Sequence, residues 1–91
     1  MASLEEIRAY AAQGAKPEQV VEKLDTYLAT HPDDEPALVM RGMTHWSMSH
    51  RRLAIQDYLA AVRINPQSKA KEALRAAYSI LDFYNKDLYN P

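Results

Sequence analysis

The stretch that decides the fold is "LAIQDYLAAVRINPQS", residues 53–68, because the earlier stretch "QVVEKLDTYLATHPDD", residues 19–34, repeats its pattern. Each stretch contains a proline after its apolar run, and these two prolines, Pro32 and Pro66, are 34 positions apart. Apolar or small residues occur in both stretches at the same 34-residue offset: Val20, Val21, Leu24, Tyr27 and Leu28, then Ala54, Ile55, Tyr58, Ala61 and Val62. This spacing predicts one amphipathic helix that occurs twice.

The rest of the chain also shows helical spacing, without an Asn-Gly or Asp-Gly hairpin turn. We therefore predict an all-α protein of five helices. The first begins after Ser3, which forms a capping box with Glu6, and ends at Gly14. The other four are predicted from Pro17 to about Thr30, from about Glu35 to Met48 after an Asp33 or Asp34 cap, from a Ser49 cap to Ile64, and from a Gln67 or Ser68 cap to near Tyr84.

Two pairs of these helices each span about 34 residues, which predicts a stack of antiparallel helical hairpins. A hairpin cannot bury its apolar stripe alone, so each must cover its neighbour. We expect a single domain over residues 1–91, in which repeat one covers 1–34 and repeat two covers 35–68. A terminal helix and tail complete it at 69–91.

Repeat two, "EPALVMRGMTHWSMSHRRLAIQDYLAAVRINPQS", residues 35–68, resembles the tetratricopeptide repeat. The matching residues are Ala37, Leu38, Gly42, Ala54, Tyr58, Ala61 and Pro66. Five positions depart from the family pattern. In repeat one, Arg8 replaces the packing glycine, and Val20 and Tyr27 replace the two alanines. In repeat two, Arg41 stands where leucine is preferred and Arg51 where an aromatic residue is preferred. The resemblance implies a right-handed α-solenoid that binds other proteins.

The composition favours a soluble globular protein and excludes several kinds of partner. Apolar residues make up 47% of the chain and charged residues 25%, with a net charge of −1. This balance argues against nucleic acid and anionic membranes as partners. No apolar run approaches the roughly 20 residues of a membrane span, and the N-terminus lacks the pattern of a secretory signal. We therefore expect a cytoplasmic location.

Residues with catalytic or metal-binding potential are few and poorly spaced. His45 and His50 are five positions apart, which does not place them on one helical face, and the chain contains no cysteine. The acidic run 33–35 fits a helix start better than a cation loop. With only Gly14 and Gly42, no glycine-rich phosphate loop is possible. We expect no enzymatic activity, metal or cofactor.

The resemblance implies that helices one, three and five line a concave surface that binds a peptide or helix of a partner. The residues predicted to line this apolar groove are Val39, Met40, Met43, Trp46, Ala73, Ala77 and Ile80. One branch of the family binds a C-terminal carboxylate with Lys, Asn and Arg side chains. The matching positions here lack such donors, because they are Glu5, Ala9, Met40, Ala70 and Leu74.

The fifth helix is predicted to be apolar over about two thirds of its circumference, more than one neighbouring helix can cover. Either the tail or a second copy of the chain would cover the remainder. We predict a homodimer whose contacts include Phe83, Tyr84, Leu88 and Tyr89. The alternative function is a fixed assembly or regulatory subunit of a larger complex, without an open peptide groove.

Overall fold

The computed structural model describes residues 2–84, with side chains described through residue 80. These residues form five α-helices and no strand, which confirms the all-α prediction. The helices are α1 Leu4–Ala12, α2 Pro17–Thr30, α3 Glu35–Ser47, α4 Arg51–Ile64 and α5 Ala70–Tyr84.

The helices begin and end where local chemistry favours it. The Ser3 hydroxyl accepts the Glu6 amide at 3.2 Å, and the Glu6 carboxylate accepts the Ser3 amide at 3.3 Å, which confirms the capping box. The Asp34 carboxylate caps α3 by accepting the Ala37 amide at 3.2 Å. Gly14 follows α1 with a φ of 90°, a left-handed conformation that suits glycine.

The start of α4 differs from the prediction, since His50 and not Ser49 is its N-cap residue. Ser49 has a φ of 65°, and its amide donates to the Trp46 carbonyl at 2.9 Å. Ser49 therefore closes α3, and this conformation is unsuited to an N-cap, which is normally extended. At the start of α5, the Ser68 hydroxyl accepts the Ala70 amide at 3.1 Å, in agreement with one of the two predicted caps.

The core contains the positions at which the two related stretches coincide. Val20 and its counterpart Ala54 are both buried, and so are Leu24 and Tyr58. Ile7 of α1 joins this core, together with other buried apolar residues: Leu28, Ala37, Leu38, Ala61, Ala70 and Leu74. Burial is thus equivalent at three of the five offset pairs, whereas Tyr27 is less buried than Ala61 and Leu28 is more buried than Val62.

The main helix contacts among the described residues are between helices that are consecutive along the chain, and α3 and α4 share the most extensive contact. This order of contacts does not contradict the predicted stack of hairpins; the stack and its right-handed sense stay predictions. Of the predicted self-association residues, Phe83 and Tyr84 lie in the last turn of α5, where only the backbone is described. Leu88 and Tyr89 lie outside the described residues. Within residues 2–84, no helix has the length and apolarity needed to cross a bilayer.

Candidate functional site

A groove of about 730 Å³ lies along α3. It is lined by residues of α1, of α3 and of the connection between α4 and α5. We refer to it as the α3 groove, defined by Arg8, Glu35, Pro36, Val39, Met40, Met43, Thr44, Ser47, Asn65, Gln67, Ser68 and Lys69.

The floor of the α3 groove is apolar and belongs to one face of α3. Met43 lies four positions after Val39 and three after Met40, so its side chain is a neighbour of both. Val39 and Met40 are half-buried against the core, whereas Met43 is 59% exposed. A flexible thioether side chain in this position can adapt its shape to an apolar partner group.

The polar rim of the groove is held by hydrogen bonds within the chain. The Ser68 hydroxyl, which caps α5, donates to Glu35 Oε2 at 2.8 Å, and this bond ties the α4–α5 connection to the start of α3. Asn65 Oδ1 accepts the Gln67 amide at 3.0 Å. Thr44 Oγ1 donates to the Met40 carbonyl at 2.7 Å. These bonds fix the shape of the rim before any partner arrives.

The structure brings together three of the seven residues predicted for the groove, Val39, Met40 and Met43. The other four line no part of it. Trp46 is half-buried, with the Arg51 guanidinium 5.4 Å from its ring centre. Ala73 packs against the core, Ile80 is exposed on α5, and Ala77 is only 1% exposed. The assignment of Ala77 to a binding surface is therefore corrected, because its methyl group is used in the core.

Sequence reasoning missed the residues that the α4–α5 connection contributes to the groove. Glu35 and Ser68 are 33 positions apart, and no local pattern indicates that they share a hydrogen bond. The resemblance marks Arg8 only as a departure from a packing glycine. The sequence predicts Gln67 only as an alternative cap of the fifth helix, and the structure makes Asn65 the C-cap residue of α4.

Behind the groove, Arg41 of α3 joins three helices. Its Nε and Nη2 atoms donate to Asp57 of α4 at 2.9 and 2.8 Å, and its Nη1 donates to Asp25 of α2 at 2.9 Å. Asp57 is 5% exposed, so the bidentate contact with Arg41 has to compensate for the hydration that its buried carboxylate has lost. The bonds to Asp57 raise the pKa of Arg41 above its ordinary value, although burial opposes them.

The two histidines that are poorly spaced for metal binding in the sequence, His45 and His50, lie near each other in the structure. The His45 and His50 ring centres are 5.8 Å apart and tilted by 43°. Burial lowers the pKa of His45, and its Nδ1 atom is buried without a hydrogen-bond partner among the described residues. In that same part of the chain, no cluster of three or more His, Asp or Glu side chains is arranged to hold a metal ion.

A second cavity, of about 430 Å³, lies between α1 and α2 and is more polar. The Tyr10 hydroxyl donates to Gln19 Oε1 at 3.1 Å, and Lys23 Nζ lies 4.8 Å from the Tyr10 ring centre. Gln19 and Lys23 therefore both contact Tyr10. It lacks an exposed apolar floor like that of the α3 groove.

The chain was compared with protein families, curated proteins and solved structures. No protein-family model matches the chain, and no curated protein or solved structure is significantly similar to it.

Proposed function

We propose that this chain is a non-enzymatic protein–protein interaction module that binds a short segment of a partner protein in the α3 groove. The observation that carries the proposal is Met43, which is 59% exposed on the apolar floor of a concavity of about 730 Å³. An exposed apolar side chain inside a concave surface favours the burial of a partner group. The resemblance to tetratricopeptide repeats supports the same role.

The distribution of polar and apolar groups supports the proposal further. Val39, Met40 and Met43 form an apolar centre, while the polar lining residues, among them Thr44 and Asn65, form a polar rim. This arrangement is typical of protein interfaces that bind a helix or peptide through apolar anchors. Because internal hydrogen bonds already hold the rim, binding costs little ordering of the groove.

A peptide library displayed on phage, selected against the wild-type chain, tests the proposal. Selected peptides are then synthesised, and their Kd is measured by calorimetry with the wild type and with Met43→Glu. We expect the variant to bind roughly tenfold or more weakly, because the new carboxylate would be desolvated beside the partner's apolar anchor.

The matched control is Leu53→Glu, which makes the same kind of change at a 39% exposed residue of α4 outside the groove. Its Kd should stay within about twofold of that of the wild type, which corresponds to a change in binding free energy of well below 1 kcal/mol. Circular dichroism of both variants checks that helicity is preserved. Peptides that bind Met43→Glu and the wild type equally well would show that the α3 groove is not the binding surface.

A further inference from the structure

The net charge of the residues that line the α3 groove is opposite in sign to the net charge of the whole chain. The lining contains two cations, Arg8 and Lys69, and one anion, Glu35, so its net charge is +1. The complete chain has a net charge of −1. The groove is therefore a locally basic surface on a slightly acidic protein.

The two cations are available for contact with a partner. Lys69 is exposed and forms no ion pair with any residue among 2–80. Arg8 contacts Glu5 at 3.3 Å, but the side chains are 49% and 83% exposed, and such surface pairs contribute little to stability. The one lining anion differs, because Glu35 Oε2 already accepts the Ser68 hydroxyl.

Three polar side chains of the lining offer hydrogen-bond donors to a partner: Asn65, Lys69 and Arg8. Asn65 uses its side-chain oxygen to accept the Gln67 amide, which leaves its NH₂ group as a donor for a partner. The lysine and arginine can only donate. A partner that offers acceptors, and carboxylates above all, would match these donors beside the apolar floor.

We infer that the partner segment is acidic, with side-chain carboxylates close to an apolar anchor that rests on Met43. The carboxylates meet Arg8 of α1 and Lys69 before α5, which lie in separate elements of the groove lining. This inference rests on the proposed function, since it names the chemistry of the segment that the same groove binds. An internal acidic segment satisfies it, without a free C-terminus.

Three synthetic peptides of about 15 residues, long enough to form a helix, test the inference. They share one leucine pattern and are capped at both ends, but their flanking positions carry Glu, Gln or Lys. Fluorescence anisotropy with the full chain should give the tightest Kd for the Glu peptide, roughly tenfold below that of the Gln peptide, with the Lys peptide weakest. Added salt should reduce the advantage of the Glu peptide.

The double variant Arg8→Glu, Lys69→Glu should reverse this order, so that the Lys peptide binds best. The control is Arg52→Glu, Arg63→Glu, which makes the same change in net charge at exposed residues of α4 outside the groove. It should keep the wild-type order. All four replaced side chains are exposed, and circular dichroism verifies that both double variants keep their helicity.

Two other outcomes separate this inference from the proposed function. If the three peptides bind the wild type equally well, or if both double variants give the same order, the acidic partner is ruled out while peptide binding stands. If none of the three peptides binds the wild type, both the inference and the peptide-binding groove are contradicted.

Discussion

At the residue scale, Gly42 decides how closely α3 and α4 approach. A Cβ atom at this position would lie 2.7 Å from Cε1 of Tyr58 and 3.2 Å from the Ala54 carbonyl oxygen. The first distance is shorter than atoms in contact allow, so the Tyr58 ring occupies space that only glycine leaves open. Gly42 is one of the positions that match the tetratricopeptide pattern, and the structure shows that the Tyr58 ring requires a glycine there.

We predict that Gly42→Ala lowers the free energy of unfolding by roughly 1–3 kcal/mol, because the Tyr58 ring or α4 must shift. Gly14→Ala is a comparison with a different cause, since its added methyl meets no atom within 4 Å but its φ is 90°. It should cost about 1 kcal/mol. Urea denaturation measures both. A Gly42→Ala variant as stable as the wild type would contradict the close packing of Tyr58.

His45 provides a second prediction at this scale. Burial lowers its pKa below the ordinary 6.5, and the charge of nearby Arg41 acts in the same direction, whereas Asp57 opposes it. As the pH falls below about 6.5, the unfolded chain binds a proton at this position before the folded chain does. Stability should therefore decrease with falling pH, until the pH is below the pKa of His45 in the folded state.

The free energy of unfolding is measured for the wild type and for His45→Gln between about pH 7 and pH 5. The effect of His45 is the difference between the two slopes of this free energy against pH. The wild type should lose more stability than the variant over this interval. Equal losses would mean that His45 gains its proton as easily in the folded chain as in the unfolded one.

At the scale of the helices, Arg41 of α3 forms ion pairs with both α2 and α4. It stands where the resembling family prefers leucine, and the structure shows an ion-pair network in place of an apolar contact. Asp57 is almost completely buried, while Asp25 is more than half exposed. The two contacts of Arg41 should therefore differ in their importance for stability.

We predict that Arg41→Met costs about 3–5 kcal/mol, because it leaves the Asp57 carboxylate buried without a partner. The double variant Arg41→Met, Asp57→Leu should recover most of this loss, since it removes the buried charge as well. Asp25→Asn should cost less than about 1 kcal/mol. Chemical denaturation of the set gives the coupling energy, and an Arg41→Met variant that loses less than Asp25→Asn would contradict this order.

At the scale of the whole molecule, the helices form a chain of neighbouring contacts. The α3–α4 interface is the most extensive, whereas α1 contacts mainly α2 and contributes one fully buried residue, Ile7. In such an arrangement, the stability of each helix depends on the neighbours that cover it. The end at α1 should therefore open more easily than the centre.

Native-state hydrogen exchange tests this expectation directly. Backbone amides of α3 and α4 should be the most protected, and those of α1 should open at a free energy lower by at least about 1 kcal/mol. The same opening energy for α1 and α3 would indicate a single cooperative unit instead of a graded series of helices.

Much of this protein follows from short-range patterns in its sequence. The five helices, the Ser3 capping box and the Asp34 cap were predictable, because helix periodicity and end-capping depend on residues within a few positions of each other. The start of α4 was not, since the backbone at Ser49 depends on how α3 closes. The groove was predicted in part, through the apolar residues of α3.

The sequence by itself therefore determined the all-α class, the helix order and the repeated core positions such as Leu24 and Tyr58. Only the tertiary structure decided that Lys69 and Arg8 border the apolar floor of the α3 groove, and that Ala77 is core. The physical reason is distance along the chain. A helix is specified by neighbours three or four positions away, whereas a groove is formed by side chains tens of positions apart, which only the packing of helices brings together.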